Sequence, residues 1–315
     1  MKTLERITGA EENAPHISNV VSINDLSPTD INFILNRAFE FSDALKQNKP
    51  LPKTLENKCI IALFAENSTR TRISFEAAVK RLGGEFILMT ADGSSIKKGE
   101  DDIDTLQTLN AMCPDALIVR HRQIGFPDLA IKNVDCPVLN AGDGTNEHPT
   151  QALLDAMTLK QHYGDLKGMR ITICGDIKHS RVAHSNVKLL SKLGAFVTVV
   201  APNAMSENLD GADISHDFND TLKNSDAVMM LRIQRERFSN DETLDLDSYI
   251  ENYQLNRARL DIAPKHCMVL HPGPMNRDIE ISSDIANDAD RTLITTQVEN
   301  GVYVRMACLD ILLNS

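Results

Sequence analysis

Residues 59–89 read CIIALFAENSTRTRISFEAAVKRLGGEFILM. An apolar run (59–64), a polar turn, a stretch with helical apolar spacing from about 70 to 82, a Gly-Gly break and a second apolar run (85–89) spell strand, loop, helix, strand. Continuous apolar runs of this length suit strands buried on both faces, and a helical crossover lets successive strands run parallel. The same grammar extends outward. Upstream, 27–47 carries apolar residues at helical spacing after a Ser-Pro start. Downstream come a helix at about 101–113 and the runs ALIV (116–119) and CPVLN (136–140), then an amphipathic stretch at 149–163 that leaves the first sheet. A second series follows: MRITIC (169–174), a helix at 181–193, FVTVVAP (196–202), a short helix at 219–224, AVMML (227–231), CMVL (267–270) and a closing helical run at 298–313. The expected fold class is α/β, with two similar-sized domains, each a mostly parallel sheet flanked by helices, and the active site in the cleft between them. The expected boundaries are 1–148, 149–295 and a C-terminal helix, 296–315, packing back on the first domain. The polar segment before residue 27 reads as mobile.

Composition bounds the function. A chain of 315 residues has room for two domains, and 42% apolar with 24% charged residues is ordinary globular usage. The formal net charge of −11 works against broad affinity for nucleic acid or anionic membranes, so an anionic ligand would need a local basic cluster. No window approaches the ~18 apolar residues of a membrane span, and the first residues lack the features of a secretory or transit leader. The expected compartment is the cytoplasm. Six cysteines are scattered without a C-x-x-C pair and read as reduced core residues.

In open α/β sheets ligands bind beyond the carboxyl ends of the strands, and polar clusters stand there. FAENSTRTRISFEAA (64–78) places Ser68, Thr69, Arg70, Thr71 and Arg72 at a helix start, where free N–H groups and guanidinium groups together suit a phosphate; simple N-capping is the alternative. GSSIKKGEDD (93–102) carries Ser94, Ser95, Lys97 and Lys98 and on composition alone reads as a flexible, solvated surface loop. VRHRQ (119–123) ends a strand with Arg120 and His121, and NAGDGTNEHPTQALLD (140–155) leads His148 and Gln151 into a helix whose Pro149 suits its first turn. His148 is structural or functional at even weight. CGDIKHSRVAHSN (174–186) repeats the theme with Lys178, His179 and Arg181. LRIQRER (231–237) ends a strand with Arg232, Gln234, Arg235 and Arg237, donors suited to a carboxylate or to a solvated face. LHPGPMNRD (270–278) is a rigid turn with carbonyl groups to offer.

In this order and spelling, these segments resemble the catalytic chains of the aspartate carbamoyltransferases, within the aspartate/ornithine carbamoyltransferase family. The ornithine branch shares S-T-R-T-R but has H-C-L-P where this chain reads His271-Pro272-Gly273-Pro274. The resemblance implies transfer of a carbamoyl group from carbamoyl phosphate to L-aspartate, an early step of pyrimidine biosynthesis, without metal or organic cofactor. It implies that Ser68, Thr69, Arg70 and Thr71 hold the phosphate, and that Thr71, Arg120 and His148 polarise the carbamoyl oxygen. Gln151 and the carbonyls of Pro272 and Gly273 would receive the carbamoyl amide. Arg181 would bind the α-carboxylate of aspartate, and Arg232 with Gln234 the β-carboxylate. It further implies homotrimers in which Ser94 and Lys98 enter a neighbour's site; whether the trimers stand alone or join regulatory chains or a dihydroorotase is not spelled out in the sequence. Transfer to another amine such as ornithine, or a catalytically silent assembly subunit, are the alternatives. Asp101, His184 and Asp278 depart from the family's usual spelling.

Overall fold

A computed structural model describes residues 15–90, 101–234 and 245–314. The first half runs α1 (Pro28–Lys46), β1 (Cys59–Phe64), α2 (Thr69–Arg81), β2 (Glu85–Thr90), α3 (Asp102–Ala111), β3 (Ala116–His121), α4 (Phe126–Asn133), β4 (Val138–Asp143) and α5 (Pro149–Tyr163). The second runs β5 (Arg170–Cys174), α6 (Arg181–Lys192), β6 (Phe196–Val200), β7 (Ala212–Ser215), α7 (Phe218–Leu222), β8 (Ala227–Met230), α8 (Leu246–Tyr253), α9 (Arg257–Leu260), β9 (Met268–Leu270), α10 (Ser283–Ala286) and α11 (Ile294–Asn314). Two parallel sheets result, ordered β2-β1-β3-β4 and β7-β6-β5-β8-β9.

The continuous apolar runs are explained by burial on both faces. Ile60, Ala62 and Phe64 of β1 join a core beneath the helices α1, α2, α5 and α11, whereas Ile61 and Leu63 face a second core with Leu106, Leu109 and Phe126. In β8, Ala227 and Met229 enter the first core and Val228 and Met230 a third. That first core is contiguous from one sheet to the other. Helix α1 starts as its sequence suggests: Ser27 and Asp30 form a reciprocal capping box, Pro28 occupies the first turn, and Ile31, Ile34, Leu35, Ala38 and Phe41 are buried.

Several elements went unread in the sequence. Helix α4 begins at Gly125-Phe126-Pro127 and is only eight residues long, and β7 is a four-residue edge strand, too short for a periodicity to show. Helices α8 and α9 are also short. The reading of the whole segment before residue 27 as mobile is corrected for residues 15–26. Val20 bridges to Leu139 beside β4, and Ile17, Val20, Val21, Ile23 and Leu26 are buried. Lys192 on α6 donates to the carbonyls of Ile23, Asn24 and Leu26, which anchors the segment to the second half. All six cysteines are free thiols; Cys174, Cys267 and Cys308 are buried, but Cys113 is exposed. Helix α11 packs on α1, α2 and α5. No helix among the described residues is long and apolar enough to cross a membrane.

Candidate active site

The carboxyl ends of both sheets open onto one cavity of about 450 Å³. Ser68, Thr69, Arg70, Thr71, Arg120, His148, Gln151, Arg181, Arg232, Gln234, Pro272 and Gly273 all line it. Ser94 and Lys98 lie outside the described residues, as do Ser95, Lys97, Arg235 and Arg237.

At the start of α2, Ser68 makes no side-chain cap; its hydroxyl instead donates to Thr71 Oγ1 at 2.9 Å, and the first turn holds no acidic residue. The helix start therefore keeps backbone donors and its positive dipole end for a ligand. Arg70 stands against the turn after β9, where a Cβ on Gly273 would come within 3.1 Å of its Cζ. Burial, and then the like charge of Arg232, depress the Arg70 pKa. Two cations from opposite halves thus repel across the cavity, a repulsion that a bound anion relieves.

Arg120, at the end of β3, donates to Ala141 O and to Glu66 Oε1, each at 3.0 Å. Arg181, the first residue of α6, grips both oxygens of Glu66 at 2.9 Å and donates to Gly144 O at 3.2 Å. Glu66 is the only carboxylate that lines the cavity among the described residues, and it spans β1, β3 and α6. Gly142 lets these arginines sit together: with φ at +119°, a Cβ there would lie 2.9 Å from Arg181 Cζ.

His148 precedes α5 and is buried; its backbone N–H donates to Ser185 Oγ at 2.9 Å, and its Nδ1 has no partner. Burial first, then Arg305, Arg120 and Arg181, push its pKa well below the ordinary histidine value, so the ring stays neutral. A neutral imidazole can donate one hydrogen bond without carrying a spare proton. Gln151 donates to Asp155 Oδ1 at 3.0 Å. In the second half, Gln234 donates from Nε2 to His179 O at 3.0 Å, and His179 pairs through Nδ1 with Asp176 at 2.9 Å. His121 stacks on Phe126 with ring centroids 4.0 Å apart.

The three departures have local explanations. Asp101 caps α3, accepting from Ile103 N at 3.4 Å; His184 pairs with Glu207 at 3.1 Å; Asp278, at φ +65°, accepts from Ser283 N and Oγ at 2.8 and 2.9 Å.

Sequence reasoning missed Glu66, Ser74, Gln297 and Arg305, which also line the cavity. Arg305 is buried on α11, donates to Ser74 Oγ at 2.9 Å, lies 4.9 Å from the Phe75 ring, and is pushed down to about 10 by burial. An arginine inside the apolar stretch Val302–Leu309 was its available signal. Among the described residues no three His, Cys, Asp or Glu side chains are grouped to hold a metal ion.

Comparison with known proteins places this geometry. The carbamoyl-P binding domain profile of the aspartate/ornithine carbamoyltransferases matches residues 18–161, and their Asp/Orn binding domain profile matches 167–312. The aspartate carbamoyltransferase catalytic subunit of Rhodospirillum centenum is 48% identical over 301 residues, covering 95% of this chain and 94% of its own. Among solved structures, aspartate transcarbamoylase from Trypanosoma cruzi in complex with carbamoyl phosphate and aspartate superposes with a TM-score of 0.86 at 31% identity, covering 94% of this chain and 97% of its own. Ornithine carbamoyltransferase from Pyrococcus furiosus superposes with a TM-score of 0.87 at 26% identity, with coverage of 94% and 97%. Matched along both halves and sharing nearly half its residues with such catalytic subunits, the chain belongs to the aspartate/ornithine carbamoyltransferase family.

Proposed function

We propose that the chain is a transferase that moves the carbamoyl group of carbamoyl phosphate onto the α-amino group of L-aspartate, releasing phosphate and N-carbamoyl-L-aspartate. The observation that carries this reading is the convergence of Arg70, Arg120, Arg181, Arg232 and Arg305 on one cavity of a chain with net charge −11. Two anionic substrates pressed together need that local cationic excess.

Ser68, Thr69, Arg70 and Thr71 hold the phosphate at the start of α2. Thr71, Arg120 and His148 surround the carbamoyl oxygen, Gln151 and the carbonyls of Pro272 and Gly273 take the carbamoyl amide, Arg181 takes the α-carboxylate, and Arg232 with Gln234 the β-carboxylate. The neutral amine attacks the carbamoyl carbon and negative charge grows on the carbonyl oxygen. Donors fixed around that oxygen stabilise it as an oxyanion hole does. His148, held neutral, serves as a donor rather than a base, and the departing phosphate takes the amine proton.

Residues 1–148 and 149–295 form the carbamoyl phosphate and aspartate halves, with 296–315 returning to the first. The working unit is a homotrimer whose Ser94 and Lys98 complete a neighbour's site, acting in UMP synthesis in the cytoplasm. Ornithine is disfavoured because its cationic side chain would meet Arg232, with Glu66 already engaged by Arg120 and Arg181. The test is product formation from carbamoyl phosphate with aspartate against ornithine: turnover with ornithine alone, or with neither, refutes the proposal.

A further inference from the structure

Asp155 lies one turn after Gln151 on α5, is completely buried, and has no part in the chemistry above. Its carboxylate accepts from three side-chain amides carried by three helices. Gln151 Nε2 on α5 and Gln297 Nε2 on α11 reach Oδ1 at 3.0 and 2.7 Å, and Asn186 Nδ2 on α6 reaches Oδ2 at 2.8 Å. An ionised carboxylate only accepts, so each amide must turn its NH₂ toward it. Gln151 therefore keeps its carbonyl oxygen for the cavity that it lines. Gln297, turned the same way, accepts the backbone N–H of His271 at 2.8 Å, and His271 Nδ1 accepts that of Gly273 at 2.9 Å. One carboxylate thus sets the orientation of two acceptor groups that come from opposite halves of the chain.

The geometry points to Asp155 as a positioning residue: it fixes the Gln151 amide with its oxygen toward the cavity and, through Gln297 and His271, fixes the Pro272-Gly273 turn, so that both sides present acceptors to one substrate amide. This rests on the carbamoyl phosphate reading given above. Burial pushes the Asp155 pKa up to about 6, opposed by the hydrogen bonds from Gln297, Asn186 and Gln151 and then by Arg305, so the acceptor-only form prevails at neutral pH. Both glutamines bond Oδ1, so an asparagine could keep its oxygen there; a leucine at 155, of similar shape and without an acceptor, frees Gln151 to invert and meet the substrate amide donor to donor.

The test compares carbamoyl phosphate with inorganic phosphate as calorimetric titrants of the full chain, because only the former carries the amide. Wild type should bind carbamoyl phosphate the more tightly. Asp155→Leu should weaken carbamoyl phosphate about tenfold, the cost of an unmade buried hydrogen bond, while inorganic phosphate stays within about twofold. In a Gln151→Ala background the same substitution should add clearly less than it costs alone, since one of the two groups through which it acts is gone. Equal weakening of both titrants, or effects that multiply, would overturn the positioning role. Should Asp155→Leu not fold, Asp155→Glu displaces the carboxylate by one methylene and should show a smaller loss confined to carbamoyl phosphate; an unchanged ratio overturns the inference. Wild-type protein that binds carbamoyl phosphate no better than phosphate would sink the activity reading before any substitution is made.

Discussion

Gly142→Ala should damage the site without replacing any substrate-binding side chain. Gly142 has φ +119°, and an added Cβ would lie 2.9 Å from Arg181 Cζ and Nε and 3.0 Å from Arg120 Nη1. Comfortable contacts begin near ~3.5 Å, so both guanidinium groups must retreat by about 0.5 Å or more. They have little freedom to do so, because Arg181 is held by both Glu66 oxygens and Gly144 O, and Arg120 by Ala141 O and Glu66. The positive φ costs about 1–2 kcal/mol and overpacking about 1–3 kcal/mol more, so a loss of roughly 2–5 kcal/mol of stability is expected. A misplacement of ~1 Å can cost about 100-fold, so a shift of half that in two substrate-binding groups should cost on the order of 10-fold in kcat/KM. Gly164→Ala is the control: its φ is +84°, yet nothing lies within 4 Å of the added Cβ, so it bears the backbone cost alone and should keep full activity. Melting curves and steady-state kinetics on both variants decide the matter. Gly142→Ala within threefold of wild type in kcat/KM, with no greater loss of melting temperature than the control, would refute the steric argument.

Four further outcomes are expected. Arg70→Ala should cut kcat/KM for carbamoyl phosphate by about 100-fold or more, the loss of a charge-assisted contact, whereas Arg232→Ala should raise the aspartate KM far more than the carbamoyl phosphate KM; equal rises in both would remove Arg232 from the amino-acid side. His148, kept neutral when folded, takes a proton only on unfolding below pH ~6.5, so its contribution makes stability fall with acidification by up to about 1 kcal/mol per pH unit. His148→Gln should flatten that slope in melting temperatures taken between pH 7 and 5, and an unaltered slope would contradict the burial argument. Lys98→Ala and Arg70→Ala chains, each nearly inactive alone, should regain activity when dissociated and reassembled together; activity no greater than the sum of the parents would place the lysine loop in its own subunit or nowhere.

The fold was legible where one face pattern dominated. β1 and β3 are buried on both sides and spelled themselves as unbroken apolar runs, and α1 announced itself with helical apolar spacing after a Ser-Pro start. The cluster Ser68 to Thr71 was legible because two arginines beside a positive helix end make little sense without an anion. Glu66 stood inside that same quoted stretch unread, because a carboxylate's partners, Arg120 and Arg181, are 54 and 115 residues away and nothing local marks them. Gln297 and Arg305 were hidden for a related reason. Their helix reads as core, and only the return of α11 against α2 and α5 brings them to the cavity. The docking of residues 15–26 was missed because one bridge at Val20 and scattered apolar side chains leave no periodic trace.

The return of α11 bears on how the chain is made. Synthesis proceeds from the N-terminus at ~5–20 residues per second, so the interval between completing α5 at Tyr163 and starting α11 at Ile294 is on the order of ten seconds. Throughout it, the faces of α1, α2 and α5 that α11 covers stay open to water on the ribosome. The half that emerges first is thus the last to close its core, and a nascent chain stalled short of residue 294 holds an exposed apolar surface that a chaperone would recognise.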